Sequence, residues 1–146
     1  WDDMIDINVK GLLYMTRAIL PGMLSRKAGH IINIGSTAAH NVYPGGSVYC
    51  ATKHAVNAIT KTFQLEVAGK GVKVTEIDPG AVETEFSMVR LKGDEEKAKK
   101  VYENMEMPLS AIDVADTSVY ALTRPAYVNI GQILLYSMHQ TERVPT

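Results

Sequence analysis

The sequence is poor in the features that define several common classes of protein. It has 146 residues but only one cysteine, Cys50, which excludes an internal disulfide and suits a reducing compartment. Its apolar runs are too short to cross a membrane. Fifteen basic and sixteen acidic residues leave a net charge of -1, so nothing favours a nucleic acid or an anionic membrane as a partner. We therefore expect a soluble, cytoplasmic, globular chain.

The histidines do not form a recognisable metal site. His30, His40, His54 and His139 lack the spacing of metal ligands, and no carboxylate cluster accompanies Cys50. We expect Cys50 to pack as a small apolar side chain. The sequence therefore gives no indication of a bound metal.

Alternating hydrophobic periodicities divide the chain into helices and strands. The order is helix, strand, helix, strand, helix, helix, strand. The predicted bounds are 2–24, 30–34, 47–69, 72–77, 84–107, 113–122 and 130–136. Strands separated by helices favour a parallel sheet with right-handed crossovers. The predicted fold is therefore α/β, a Rossmann-like doubly wound sheet in a single domain over 1–146, with few strands for an independent fold.

Local signals predict where some of these helices begin and end. Ser47 follows Pro44-Gly45-Gly46 and is expected to cap the second long helix, while Asp113 is expected to cap a later one. Pro21 and the following glycine are expected to disturb the end of the first helix.

Tyr49 and Lys53 are four positions apart on a predicted helix, so they lie on one face a single turn apart. A nearby ammonium favours the phenolate and brings the pKa of a tyrosine towards neutral pH. A tyrosine and a lysine on an exposed helix face are common, however, so this pair alone is weak evidence of a proton-transfer site.

Strand ends strengthen that interpretation. Ser36 follows one predicted strand and Pro79-Gly80 follows the next. Open α/β sheets bind their ligands at the carboxyl ends of parallel strands, and Tyr49 begins the helix after Ser36. We therefore expect Ser36, Tyr49 and Lys53 to meet in one crevice.

Four motifs in fixed order resemble the C-terminal part of the short-chain dehydrogenases/reductases. They are IDINVKG at 5–11, HIINIGS at 30–36, YCATK at 49–53 and IDPGAVET at 77–84. The later segments TEFSMVRLKGDEEKAKKVY, DVAD and RPAYVNI are similar to a narrower branch. That branch comprises NADP-dependent 3-hydroxy acid dehydrogenases, which oxidise serine, allo-threonine and related 3-hydroxy acids such as 3-hydroxypropionate.

The resemblance implies a role for each catalytic residue. Tyr49 would be the acid/base, and Lys53 would lower the pKa of Tyr49 and hydrogen-bond the nicotinamide ribose. Ser36 would hold and polarise the substrate oxygen. Asn8 would kink its helix and anchor a water on the proton path to Lys53.

The resemblance also implies a cofactor site. Tyr49 and Lys53 would contact the cofactor, and a second group of residues would line its nicotinamide. This second group is Pro79, Gly80, Val82 and Thr84. The implied cofactor is NADP, although no residue here distinguishes it from NAD.

The charged segment 84–107 would cover the substrate in this family. Arg90 lies on this segment and is positioned in sequence to bind the carboxylate of a 3-hydroxy acid. An ordinary surface arginine explains Arg90 equally well. Reduction of other ketones is therefore an alternative, because the covering segment predicts the substrate poorly.

The Gly-rich turn that opens the family's cofactor site is absent. We expect the chain to be the catalytic half of a longer protein, or else a truncated relative. In the second case it would be a catalytically silent module for interaction or oligomerisation. The helices at 2–24 and 47–69 form dimers and tetramers in this family, so a homodimer or homotetramer is expected.

Overall fold

The computed structural model describes residues 1–86, 89, 93–96 and 106–140. In chain order these contain α1 (Asp2–Ile5), a π-helical segment (Asp6–Gly11), α2 (Leu12–Arg26), β1 (Gly29–Ile34), a 3-10 turn (Thr37–Ala39), α3 (Ser47–Val67), β2 (Val72–Pro79), α4 (Ala111–Leu122) and β3 (Gln132–Leu135). No helix in this part of the chain is long and apolar enough to cross a membrane.

The three strands form one parallel sheet in the order β1-β2-β3. The predicted Rossmann-like α/β layer is therefore confirmed, with β2 extending to Pro79 and β3 shorter than the predicted 130–136. Within the described residues β1 pairs with a strand on one edge only. That residues 1–146 form one domain stays a prediction.

The first long helix is neither regular nor confined to 2–24. Its backbone is π-helical from Asp6 to Gly11, and it continues through Pro21 to Arg26. Proline removes one helical hydrogen bond, but this part of α2 is held by apolar contacts with the core. The contacting side chains are Leu20, Met23 and Leu24. The helix ends at Arg26 and is capped by Lys27, whose backbone is left-handed with φ of 51°.

Two predicted helix caps are wrong in detail. Ser47 is the first residue of α3, and Gly46 occupies the cap position without a side-chain hydrogen bond. Ser110 caps α4, while Asp113 lies three residues later and its Oδ2 accepts a hydrogen bond of 2.7 Å from the Ser110 backbone N–H. These bonds from Ser110 lower the pKa of Asp113. A serine and an acid three residues apart form a reciprocal cap, which the acid alone does not reveal.

The core holds α3 against the sheet. Ile77 of β2 is fully buried, and α3 packs on the same strand. Asn33 of β1 also donates a buried hydrogen bond of 2.8 Å to Thr60 Oγ1 of α3. Because a buried polar pair of this kind is costly to break, it fixes the position of α3 relative to the strand ends.

Ile77→Ala is expected to lower the free energy of unfolding by about 3 kcal/mol, because it leaves a cavity in the core. Leu65→Ala is the matched control, since Leu65 of α3 is 80% exposed and its truncation should change stability by less than about 0.5 kcal/mol. Chemical denaturation of both variants measures the difference. Equal losses would contradict the assignment of Ile77 to the core.

Candidate active site

Ser36 lies just beyond β1 and is almost fully buried. Its backbone N–H donates to Asp78 Oδ1 at 3.0 Å, so the position of the residue is fixed by the neighbouring strand. Its Oγ accepts a hydrogen bond from the N–H of Ala38 at 3.1 Å. Since the oxygen is the acceptor in that bond, the hydroxyl hydrogen can be donated to a ligand.

Lys53 reaches from α3 to the end of β1. Its Nζ donates to the carbonyl oxygen of Ile34 at 3.0 Å, two residues before Ser36. Burial lowers the pKa of Lys53, and the nearby acidic groups, Asp78 first and then Glu76, partly oppose that shift. The carboxylates therefore oppose the loss of the ammonium charge that burial favours.

Tyr49 lies in the first turn of α3, where it is half-buried. Lys53 Nζ is 5.9 Å from the centre of its ring. The ring of Phe86 packs against the ring of Tyr49, with the two centroids 5.8 Å apart and the ring planes tilted by 50°. The structure thus brings Tyr49, Lys53 and Ser36 to the same end of the sheet, as the sequence predicts.

Asn8 contacts α3 from the π-helical segment. Its side-chain Nδ2 donates to Thr52 Oγ1 at 3.1 Å, and that hydroxyl donates to the carbonyl oxygen of Tyr49 at 2.8 Å. A π-helical turn inserts an extra residue into a helix and is frequent at functional sites. Asn8 is therefore joined to the backbone of Tyr49 through Thr52.

Pro79 and Gly80 follow the same edge of the sheet. Pro79 ends β2, and the N–H of Gly80 donates to the carbonyl oxygen of Leu135 at 2.8 Å. A Cβ atom at Gly80 would overlap with Gln140 Oε1. The terminal amide of Gln140 therefore lies directly against the backbone of Gly80.

Val82 and Thr84 continue from this turn. Val82 forms an isolated parallel bridge with Leu109. Thr84 is exposed, and its Oγ1 accepts a hydrogen bond from the N–H of Phe86 at 3.2 Å. Both residues therefore follow β2 at the carboxyl end of the sheet, whereas Arg90 lies outside the described residues.

Asp78 is a site residue that the sequence interpretation missed. It is fully buried, and its Oδ1 accepts the N–H of Ser36. Its Oδ2 lies 2.7 Å from His40 Nε2 and 2.6 Å from Gln132 Nε2. Both nitrogens are therefore within hydrogen-bonding distance of the same oxygen of Asp78.

Glu76 lies two residues before Asp78 and is also buried, at 1% exposure. Its Oε2 accepts from Asn57 Nδ2 at 2.9 Å, and in the described residues no donor reaches its Oε1. Burial and the neighbouring Asp78 raise the pKa of Glu76 to about 8. The sequence did contain a signal for this pair. The strand VKVTEIDP has two acids with one residue between them, and alternation puts both on one face of the strand.

Comparison with known sequences places the chain in a family. Residues 1–114 match the family described as short chain dehydrogenase. The NADP-dependent 3-hydroxy acid dehydrogenase YdfG of Salmonella typhi is 49% identical over 142 residues, covering 97% of this chain and 57% of the relative. An NADP-dependent 3-hydroxy acid dehydrogenase of Schizosaccharomyces pombe is 46% identical over 137 residues, covering 94% of this chain and 52% of the relative.

Solved structures share the fold. The closed form of serine dehydrogenase complexed with NADP+ has a TM-score of 0.93 at 48% identity, covering 97% of this chain and 57% of that chain. An alcohol dehydrogenase of Thermococcus sibiricus complexed with 5-hydroxy-NADP has a TM-score of 0.78 at 26% identity, covering 97% and 55%. The chain therefore spans little more than half the length of these relatives. It belongs to the short-chain dehydrogenase family.

Proposed function

We propose that this chain is the catalytic part of an NADP-dependent oxidoreductase that acts on the hydroxyl group of small 3-hydroxy acids. The observation that carries the proposal is the meeting of Ser36, Tyr49 and Lys53 at the carboxyl end of a parallel sheet. Family membership and the NADP-dependent relatives support the same reaction class. Serine, allo-threonine and 3-hydroxypropionate are the proposed type of substrate.

The side chains present fit the ribose and nicotinamide part of NADP. An ammonium has three N–H donors, and Lys53 uses one of them on the carbonyl oxygen of Ile34. Lys53 and the Tyr49 hydroxyl would hold the ribose hydroxyls. The residues after β2 would line the nicotinamide: Pro79, Gly80, Val82 and Thr84. When bound, NADP supplies the hydride chemistry.

Proton transfer is the chemistry proposed for the chain itself. Tyr49 would take the hydroxyl proton of the substrate during oxidation and return one during reduction. The ammonium of Lys53 would stabilise the phenolate between these steps, since an adjacent positive charge favours an anion. Ser36 would donate its hydroxyl hydrogen to the substrate oxygen, where negative charge develops during the reaction.

Asn8 is proposed to support this proton path. Its bond to Thr52 holds the π-helical segment against α3 beside Lys53. We propose that this arrangement places a water on the path to the Lys53 ammonium. A carbonyl reductase that acts on a different ketone would use the same catalytic residues. It would differ from a 3-hydroxy acid dehydrogenase only in the residues that bind the rest of the substrate.

We further propose a cytoplasmic homodimer or homotetramer, assembled through α3 and the first long helix. The supporting observation is a set of apolar side chains exposed along that first helix. Four of these are Ile7 at 71%, Tyr14 at 69%, Met15 at 63% and Ile19 at 39% exposure. Apolar surface of this extent commonly marks an interface. The same surface would serve a catalytically silent interaction module, which is the second candidate function.

Tyr49→Phe is expected to reduce kcat for NADP-linked serine oxidation by at least about 100-fold, because it removes the general acid/base. The measurement uses the protein that carries residues 1–146 and follows NADPH formation. Tyr127→Phe is the matched control. Tyr127 is 90% exposed and precedes β3, whereas the candidate site lies at the carboxyl ends of the strands. Retention of more than about a tenth of kcat by Tyr49→Phe would overturn the proposed role. An inactive parent protein would favour the silent module.

Arg90→Met tests the proposed substrate class. It is expected to raise KM for serine by about tenfold, through the loss of a charged hydrogen bond to the substrate carboxylate. KM for an uncharged alcohol should change little. Arg17→Met on the exposed surface of α2 is the control. Equal changes with both substrates would contradict a carboxylate-binding role for Arg90.

A further inference from the structure

The buried face of β2 carries two carboxyl groups that the proposed reaction leaves without a role. Glu76 and Asp78 are separated by one residue, so both side chains project from the same face of the strand. They are 1% and 0% exposed, respectively. Acidic side chains are almost never buried to this extent unless they are paired, and the cost of burying two together calls for an explanation.

Gly35 shows how close the two groups come. A Cβ atom at Gly35 would overlap with Asp78 Oδ1 and would also lie 2.6 Å from Glu76 Oε1. One oxygen from each acid therefore approaches the same point beside the end of β1. Two negative charges this close together in the protein interior repel each other strongly. One proton retained between the two carboxyl groups removes that repulsion.

The surrounding donors determine which acid holds the charge. Asp78 accepts from the backbone of Ser36 and contacts His40 and Gln132, so three donors stabilise it as an anion. Glu76 receives one bond, from Asn57 to Oε2, and no donor among the described residues reaches its Oε1. A hydrogen on Oε1 gives that atom a partner, because the neighbouring oxygen of Asp78 can accept it.

The charged groups around the pair come from two elements. Lys53 and Lys61 lie on α3, and His40 lies in the turn after β1. Burial and then the negative charge of Asp78 raise the pKa of Glu76, while Asn57 and Lys61 lower it. The negative charge of the pair also favours the charged form of Lys53, whereas burial disfavours it and lowers the pKa of that lysine.

We propose that Glu76 and Asp78 share one proton, and that the single remaining charge, on Asp78, positions Ser36 and maintains the ammonium of Lys53. Asp78 is thus a positioning residue and Glu76 is the neutral member of the pair. The link to Ser36 and Lys53 rests on the proposed function. The sharing of the proton does not, because it follows from burial and hydrogen bonding alone.

The first test is the infrared carbonyl stretch of a protonated carboxylic acid. At about pH 6, between the ordinary value for glutamic acid and the raised one, the folded protein should show this band. Glu76→Gln should abolish it, while Glu66→Gln, the same change at an exposed position of α3, should leave it intact. Persistence of the band in Glu76→Gln, or its absence from the parent protein, would overturn the assignment of the proton to Glu76.

The pH dependence of unfolding is the second readout. The raised pKa means that folded Glu76 keeps a proton that the unfolded chain releases above about 4.5. Glu76 therefore lowers the folding equilibrium constant by about tenfold per pH unit as the pH rises from about 4.5 to about 8, and not beyond. Glu76→Gln should lose this fall, and Glu66→Gln should retain it. Parallel curves for the parent and Glu76→Gln would refute the proposal.

Asp78→Asn tests the positioning role and the coupling together. It should reduce kcat by at least about tenfold, because Ser36 loses a charged acceptor. It should also move the titration of the Glu76 carbonyl band to lower pH, which loss of structural support alone would not do. An unchanged titration would overturn the pairing. Since neither the band nor the unfolding curve needs turnover, they remain decisive even if the parent protein proves inactive with NADP.

Discussion

The geometry of this site depends on the hydrogen bonds that the buried carboxylate of Asp78 receives. A charge removed from water must be surrounded by donors, and here the donors come from two separate parts of the chain, the segment after β1 and the strand β3. Ser36 follows β1, His40 lies in the turn after it, and Gln132 belongs to β3. Satisfying one buried anion therefore holds the strand ends together, and it sets the position of the serine that the proposed reaction uses.

The second constraint is the attachment of α3 to the sheet. Apolar packing on β2 and the buried bond between Asn33 and Thr60 fix the helix, so Tyr49 and Lys53 are held at the strand ends. Lys53 then experiences two opposing effects, because burial disfavours its charge and the acids below it favour that charge. The acid pair thus helps a half-buried lysine to keep its charge, which the proposed stabilisation of a phenolate requires.

Glycine makes this arrangement sterically possible at one position. Gly35 passes directly beside the two carboxyl groups, where any larger residue would collide with Asp78. The backbone can approach the acids because it carries no side chain there. Ser36 can then present its N–H to Asp78 while its hydroxyl oxygen accepts from the following turn. The geometry of the site therefore depends on the absence of a Cβ atom at Gly35.

The sequence by itself determined the parallel α/β layer and the meeting of Ser36, Tyr49 and Lys53, because hydrophobic periodicity and strand-end position are local properties. It indicated the family through four motifs in fixed order. It also carried the alternation that places Glu76 and Asp78 on one face. Only the tertiary structure decided that His40 and Gln132 converge on Asp78, and that Ser110 rather than Asp113 caps α4. The π-helical register at Asn8 and the continuation of α2 through Pro21 were also decided there. The physical reason is that burial, and hydrogen bonds between residues far apart in sequence, arise only when the helices pack on the sheet.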